Sequence, residues 1–360
     1  MIRKEPEGLT LTKMTAFGRN FVKYGVSVLI LLMVGRVAVT AFAAYWVATH
    51  PPAPPEPTAG FGSLPPIAFP AQTSEDKPTS YTLETPTGTL PSFGDRVTVF
   101  LMTKGSPSLL DNENAQAIAK RYGFEDAPSI LDSNTYRWTK NQPLVATLDM
   151  DIIDHNLTYE TDFLNRPELL LQTELPTDFD AVEQVKRFLS RADLLPGDIA
   201  TSSGKIMYLK ALGGALKPAV SVSDADFVQV DINRIPINGL YEFYSKDGKT
   251  GAVHAILAGK QSENILRLSL QHYPIEYSLS QTYYIRSTQS AWQRLQAGEG
   301  YIANKGTTSS AVIRSVELGY YESEEFSQYV QPIFVFKGDG DFIGYVSAID
   351  PRYILQTGKK

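Results

Sequence analysis

An apolar stretch near the N-terminus constrains this chain more than any other feature. The 24 consecutive residues from Gly25 to Ala48 carry one charge, that of Arg36. A helix rises ~1.5 Å per residue, so this stretch would extend ~36 Å, which is enough to cross the ~30 Å hydrocarbon core of a bilayer with some tilt. The sequence therefore predicts one transmembrane helix over residues 25–48.

The basic residues around this stretch predict its orientation. Five of them precede it: Arg3, Lys4, Lys13, Arg19 and Lys23. After it, the next Lys or Arg is Lys77. Basic residues concentrate on the cytoplasmic side of membrane helices. We therefore expect residues 1–24 to form a cytoplasmic leader of a single-pass cell-membrane protein, with the C-terminal domain on the extracytoplasmic side.

A cleaved signal peptide is the alternative to an anchor. Ala41-Phe42-Ala43 resembles a small-residue cleavage site behind an apolar run. Against cleavage, Arg36 interrupts the run, and Tyr45 and Trp46 suit the aromatic belt at the outer membrane interface. We favour an uncleaved signal anchor, and cleavage stays open.

Arg36 lies near the middle of the predicted span. An arginine there costs ~2.5–3.5 kcal/mol on insertion scales, so something should compensate for it. Snorkelling with local thinning of the bilayer is one account. Contact with an acidic or carbonyl group of another membrane helix is the other, and it makes Arg36 the candidate partner contact of this helix.

Residues 49–79 form a Pro-rich tether in this interpretation. The run PPAPPEP at 51–57 favours a polyproline II spacer, because proline fixes φ and lacks an amide donor. The next segment contains Phe61, Leu64, Ile67 and Phe69, which are too apolar for a free linker. We expect these four side chains to dock on the folded domain. A proline-rich ligand for another protein is the alternative.

Composition limits the function of the remaining domain. Residues after Ala48 carry 27 Lys and Arg against 37 Asp and Glu, a net charge of −10, so we expect no nucleic-acid partner. The chain has no cysteine, which removes disulfides, thiol nucleophiles and thiolate metal sites. With 43% hydrophobic residues, the chain can bury a large core without such links.

The periodicity from residue 80 onward predicts an α+β fold in which helices alternate with groups of antiparallel strands. Helices are expected near 113–122, 180–192 and 290–297, and strands fill most of the intervals. Turns through Asp154, Asp247-Gly248 and Gly338-Asp339-Gly340 suggest hairpins. We place a boundary near 171–178, which gives two ectodomain units, 80–175 and 176–360. A parallel nucleotide-binding sheet is not expected.

The catalytic and metal motifs in this sequence are weak. Three tripeptides spell the signatures of penicillin-binding proteins, but in the wrong order and on strands or turns: Ser203-Gly204-Lys205 with its preceding Ser202, Lys249-Thr250-Gly251 and Ser262-Glu263-Asn264. The four histidines lack metal-ligand spacing: His50, His155, His254 and His272. We expect no catalytic, cofactor or metal site. A deep pocket holding His254 with a carboxylate and a hydroxyl would instead indicate a hydrolase.

Two surface features suggest contacts. An acidic group on the first long hairpin is interpreted as a solvated tip, with a cation site or a basic partner as the alternative: Asp149, Asp151, Asp154, Glu160 and Asp162. The adjacent tyrosines Tyr320 and Tyr321 point to opposite faces of a strand, so one is exposed unless both faces are covered. They are the candidate protein-contact residues.

Two resemblances follow from the order of these segments. The basic leader, single span, Pro-rich tether and the run FGSLPPIAFP at 61–70 resemble uncharacterised membrane-anchored proteins of Patescibacteria, the candidate phyla radiation. Over about the last 180 residues, the runs AW at 291–292, LQAG at 295–298, VELGYY at 316–321 and QPIFVF at 331–336 are distantly similar to the extracytoplasmic half of the YycH/YycI family. Members of that family restrain a membrane histidine kinase, and no catalytic residues transfer from it.

These expectations combine into one functional hypothesis. We expect a bacterial, non-enzymatic, single-pass membrane protein whose ectodomain binds another envelope or membrane protein and regulates it. The second resemblance implies a signalling kinase or a surface-assembly machine as that partner. A structural scaffold subunit of the envelope is the first alternative and an envelope hydrolase the second. Whether the chain forms a homo-oligomer stays open.

Overall fold

The computed structural model describes residues 11–49, 56–142, 144–165, 174–259 and 265–356. The chain divides into two compact units, Met1–Glu56 and Pro57–Lys360. Most of the polyproline spacer expected at 51–57 lies outside the described residues, as does the start of the leader.

The first unit contains one long helix, α1 (Leu11–Thr49). It begins inside the expected leader and continues through the predicted span, because no proline interrupts the sequence there. Its segment Phe17–Thr49 is long and apolar enough to cross a membrane, and the most apolar 18 residues in it have a mean hydropathy of 2.3. Ser27, Thr40 and Thr49 donate their hydroxyl protons to backbone carbonyls four residues earlier. These bonds satisfy the hydroxyl groups within the helix, as a lipid environment requires.

The second unit is an α+β domain. Its helices are α2 (Asp111–Arg121), α3 (Asp178–Arg191), α4 (Gly197–Ala200) and α5 (Thr288–Gln296). Its strands are β1 (Ser80–Leu83), β2 (Arg96–Met102), β3 (Ser129–Ile130), β4 (Thr135–Lys140), β5 (Ala146–Asp151), β6 (Leu157–Thr161), β7 (Gly204–Leu212), β8 (Ala215–Pro218), β9 (Phe227–Ile232), β10 (Phe243–Tyr244), β11 (Val253–Leu257), β12 (Ile265–Leu270), β13 (Ile275–Tyr284), β14 (Tyr301–Asn304), β15 (Ser310–Tyr321), β16 (Tyr329–Val330), β17 (Pro332–Gly338) and β18 (Phe342–Ser347). The α+β fold class predicted from the sequence is confirmed.

The largest sheet has nine strands in the order β3-β4-β5-β6-β12-β11-β9-β7-β8, and all its neighbours are antiparallel. Helices α2 and α3 cover one face and form a core with it. Helix α3 begins where the Thr177 side chain accepts a bond from the Asp180 N–H, and it buries Val182, Val185 and Leu189 at helical spacing.

This sheet crosses the boundary that we expected near residue 175. Strand β6 pairs with β12, so strands from 80–175 and from 176–360 share one hydrogen-bonded ladder. The expected division into two units is therefore wrong. The four strands β3 to β6 extend the sheet formed by later strands and do not form a sheet of their own.

Two further sheets form the other half of the domain. A six-stranded sheet has the order β1-β15-β17-β18-β14, with β10 also pairing with β15. A three-stranded sheet, β13-β2-β16, packs with α5 against one face of it. The pairs β1·β15 and β10·β15 are parallel.

One predicted hairpin is wrong. Asp247 and Gly248 do form a turn, in which Gly248 has φ +72° and its N–H donates to the Ser245 carbonyl at 3.1 Å. The flanking strands β10 and β11 lie in different sheets, however. The turn therefore passes the chain from one sheet to the other. The hairpins at β5·β6 and β17·β18 are as predicted.

Candidate functional site

The segment that follows the first unit packs into the domain over much of its length. We call residues 57–79 the strap. Leu64 is 0% exposed, its N–H donates to the Tyr353 carbonyl at 2.7 Å, and its own carbonyl accepts from Leu355 N–H at 2.8 Å. The Phe61 ring lies 5.2 Å from that of Tyr329. The strap is therefore part of the domain core at Leu64 and not a free linker.

The second half of the strap covers an aromatic cluster on the outer face of the six-stranded sheet. Ile67 and Phe69 pack against this cluster. The Phe69 ring stacks on Tyr301 at 5.1 Å and meets the edge of Tyr321 at 4.8 Å. The four residues singled out for docking from the sequence, Phe61, Leu64, Ile67 and Phe69, thus all contact the folded domain.

The strap also satisfies backbone groups at two sheet edges. At the outer edge of β13, Ala59 N–H donates to the Thr282 carbonyl at 3.0 Å, and Thr282 N–H donates to the Thr58 hydroxyl at 3.0 Å. At the outer edge of β14, the Gln72 side chain bonds both backbone groups of Ile302. An open edge would be a template for pairing with another chain, so the strap protects these two positions.

Tyr320 and Tyr321 do not lie on the surface, which corrects their assignment as contact residues. They are 1% and 7% exposed, because both faces of β15 are covered. On one face the Tyr320 hydroxyl donates to the Thr98 carbonyl at 2.7 Å, and on the other Phe69 covers Tyr321. Burial raises the pKa of both tyrosines.

Arg36 lies within the apolar part of α1, and its side chain is exposed. Its backbone carbonyl accepts the Thr40 hydroxyl at 3.0 Å. A partner helix for the guanidinium stays a prediction.

His254 pairs with a carboxylate on the neighbouring strand β9. Its Nδ1 lies 2.8 Å from Asp231 Oδ1, and Ser269 is its partner on the neighbouring strand. One cavity, of about 300 Å³, is lined by Ser269 but not by His254 or Asp231. Strands β11 and β12 are paired on both sides, so their backbone N–H groups serve the ladder and are not aimed at an oxyanion.

Two of the three penicillin-binding signatures lie within the described residues, on a strand and in a turn. Gly204-Lys205 begins strand β7, and Lys249-Thr250 lies in the turn between β10 and β11. Ser262-Glu263-Asn264 lies outside the described residues, as does His50.

Acidic side chains on the β5·β6 hairpin form hydrogen bonds and ion pairs with other residues of the domain. Asp149 holds Arg137 at 2.6 Å, and Asp154 Oδ1 accepts the Gly105 N–H at 2.7 Å. Glu160 pairs with Arg267, and the Asp162 side chain accepts from Asn165 at 2.6 Å. In the part of the chain that the structure describes, no three His, Cys, Asp or Glu residues are grouped to hold a metal.

A buried charge cluster connects the two large sheets. The Arg234 guanidinium is fully buried just after β9; it donates to Asp198 at 2.5 Å, to Glu322 at 2.6 Å and to the Tyr273 carbonyl at 2.6 Å. His272 Nε2 lies 2.6 Å from Arg234 Nη1 and 2.9 Å from Asp198 Oδ1. Desolvation alone would lower the pKa of Arg234 and raise that of Asp198. The partners outweigh desolvation: Glu322 and Asp198 raise the pKa of Arg234, and the hydrogen bond to His272 together with the charge of Arg234 holds the pKa of Asp198 at about 2.

A second buried arginine, Arg286, has far fewer partners. It precedes α5 and is 9% exposed. Its Nη2 donates to the Ile349 carbonyl at 3.1 Å, but Nε and Nη1 are buried without a hydrogen-bond partner. It lines two cavities, of about 560 Å³ and 490 Å³. Burial lowers the pKa of Arg286 to about 10, so it still carries its charge near neutral pH.

Sequence reasoning missed both buried arginines. The signal at Arg286 is a basic residue directly before Ser287, whose side chain caps α5 by accepting from Ser290 N–H. A capping serine at a helix start was visible in the sequence. That the arginine beside it is buried depends on residues distant in the chain.

The structure thus defines the chain as an α+β protein with an N-terminal helix of membrane-spanning length and composition. No protein-family model matches the chain, and no curated protein matches it. Among solved structures, it is similar to an uncharacterised protein from Eubacterium rectale, with 12% identity, a TM-score of 0.39, and coverage of 71% of this chain and 84% of that chain. A similarity of this degree carries no argument about function.

Proposed function

We propose that this chain is a single-pass membrane protein whose extracytoplasmic domain binds another envelope protein and regulates it without catalysis. The strap carries this proposal. The segment that follows a helix of membrane-spanning character is built into the domain core at Leu64 and protects edges of two sheets. Because this segment joins the membrane helix to the core of the domain, it couples partner binding at the domain to the helix. Such coupling suits a regulatory protein.

The charge distribution supports the direction of insertion. Basic residues before the apolar stretch hold the N-terminus in the cytoplasm, and an ectodomain of net charge −10 lies outside. Arg36 offers a contact to a partner helix within the bilayer, where an unpaired guanidinium is costly. The partner is an integral membrane protein of the same envelope in this proposal.

A scaffold subunit would share the anchor and the strap. The two functions differ in how the partner is held. A scaffold stays in a stable complex of fixed stoichiometry, whereas a regulator associates reversibly. The buried Arg286, which keeps an unsatisfied charge next to open cavities, favours a domain that responds to a ligand.

The experiment is in-cell crosslinking of the tagged native protein, followed by purification in gentle detergent and mass spectrometry. The comparison uses Arg36→Leu and, as a control in the same helix, Val37→Leu. A membrane protein recovered with the wild type and the control, but lost with Arg36→Leu, is the expected result. Recovery of the wild type without any membrane protein would overturn the proposal. A complex of constant stoichiometry in every growth condition would favour the scaffold.

A further inference from the structure

The larger cavity next to Arg286 has an open mouth and a mixed lining. We call it the Arg286 cavity. It is lined by residues 89–95, by residues 285–289 at the start of α5, and by Phe334 of β17. Its volume is about 560 Å³, within the range of small-molecule sites.

Arg286 supplies an uncompensated positive charge to this cavity. A guanidinium has five N–H donors. One of its nitrogens bonds the Ile349 carbonyl, while Nε and Nη1 have no partner. Arg294 repels this charge, and Asp350 and Glu299 attract it without a hydrogen bond; Asp350 is bonded to Arg352 at 3.0 Å and Glu299 to Arg294 at 2.9 Å. A buried donor without a partner costs free energy, which an incoming acceptor would recover.

The start of α5 presents further donors to the same space. The Ser287 side chain accepts from Ser290 N–H at 3.2 Å, and its carbonyl accepts from Ala291 N–H at 3.0 Å. The N–H groups of Thr288 and Gln289 have no partner within the described residues, and both residues line the cavity. The helix dipole adds partial positive charge here.

The remaining lining sets the charge and the character of the ligand. Asp95 also lines the cavity, but its carboxylate is held by Arg96 at 2.8 Å. One positive charge is thus left to balance, which suits a monoanion better than a phosphate dianion. Apolar side chains form much of the rest: Leu90, Pro91, Phe93, Ile285 and Phe334.

We propose that the Arg286 cavity binds the carboxylate of a ligand whose adjoining part is apolar. The carboxylate accepts hydrogen bonds from Arg286 and from the first N–H groups of α5, and the apolar part lies against Leu90 and Phe93. A free carboxylic acid and the C-terminus of a peptide share this chemistry. The site belongs to the ectodomain alone, so it does not depend on the membrane partner proposed above.

The test measures ligand binding to the full-length protein in a neutral maltoside detergent, by calorimetry and by thermal shift. The first probe is N-acetyl-L-phenylalanine, and its neutral control is N-acetyl-L-phenylalaninamide. We expect the acid to bind and to raise the unfolding temperature, and the amide to bind at least tenfold more weakly. A tripeptide ending in phenylalanine forms a second arm: binding at least tenfold tighter than the single residue assigns the site to peptide termini, and equal binding assigns it to small acids.

Matched variants locate the site. Arg286→Gln should weaken binding of the acid at least tenfold, whereas Arg267→Gln, which removes the same charge from the surface pair with Glu160, should leave it unchanged. Arg286→Lys keeps the charge but loses the planar fork of the guanidinium, so we expect an intermediate loss of affinity for the acid. This variant tests the site even if Arg286→Gln does not fold. Equal affinity for acid and amide, no binding of either the acid or the tripeptide, or undiminished binding by folded Arg286→Gln or Arg286→Lys would overturn the proposal.

Discussion

Gln72 forms two hydrogen bonds with the backbone of Ile302. Its Nε2 donates to the Ile302 carbonyl at 2.7 Å, and its Oε1 accepts from the Ile302 N–H at 2.8 Å. Strand β14 is the last strand on that side of its sheet. The side-chain amide therefore stands where the backbone of a further strand would stand, and it satisfies both the N–H and the carbonyl of Ile302.

Replacing Gln72 with Leu should destabilise the domain and open this edge. The change leaves two backbone groups without their partner, at a cost of about 1–3 kcal/mol in the free energy of unfolding. An exposed edge also favours pairing between molecules. We expect a lower midpoint of chemical unfolding and more oligomer in size-exclusion chromatography. Gln293→Leu, on the exposed side of α5, is the control, and equal behaviour of the two variants would contradict the assigned role.

Truncation of Leu64 tests whether the strap is part of the core. Leu64 is 0% exposed and bridges to Ile354, so Leu64→Ala removes buried methyl groups and leaves a cavity. Such changes cost about 2–5 kcal/mol in stability. Leu109→Ala, at a residue that is fully exposed, should change stability by less than ~0.5 kcal/mol. If both variants unfolded at the wild-type midpoint, the strap would be a linker after all.

The charge cluster at Arg234 should make stability fall at acid pH. The pKa of Asp198 is about 2 in the folded protein, against an ordinary value of 3.8. A depressed carboxyl pKa contributes stability that is complete above the ordinary value and is lost as pH falls toward 2. At 1.36 kcal/mol per pKa unit the contribution is on the order of 2 kcal/mol.

Asp198→Asn removes this titration. Between pH 5 and pH 2.5 the wild type should lose on the order of 2 kcal/mol more stability than the variant, measured by fluorescence of Trp138 and Trp292 during urea unfolding. The variant should also be less stable at neutral pH, because Arg234 loses one of its two carboxylate partners. Asp193→Asn breaks an exposed pair with Arg121 and should change little. Parallel pH profiles for wild type and Asp198→Asn would refute the assignment.

Local patterns predicted individual elements well. The three helices expected near 113–122, 180–192 and 290–297 all form, and each begins two residues before its expected start, because a helix depends on neighbouring residues. The docking of the strap was predictable for the same reason, since its apolar side chains would otherwise face water.

Pairings between distant segments were not predictable from one sequence. A turn such as Asp247-Gly248 reverses the chain but does not determine which sheet its flanking strands join. The same limit applies to the sites. The exposure of Tyr321 could not be predicted, because Phe69, which covers it, belongs to the distant strap. The cavity beside Arg286 likewise depends on distant residues, the loop at 89–95 and Phe334.

The absence of cysteine makes the membrane orientation directly measurable. The sequence contains none, so a single introduced cysteine is the only thiol that a maleimide can label. Leu109→Cys lies on the exposed surface of the domain, and Met14→Cys lies near the start of α1, before the apolar segment. With a membrane-impermeant maleimide on intact cells, or on spheroplasts where an outer layer blocks access, we expect labelling at position 109 alone. Position 14 should react only after the membrane is permeabilised, because the basic residues retain it in the cytoplasm.

Labelling of Met14→Cys in intact cells would show that the helix has the opposite orientation. If the domain were recovered in the medium with Leu109→Cys labelled but without residue 14, α1 would instead be a cleaved signal, since an anchor stays covalently joined to the domain.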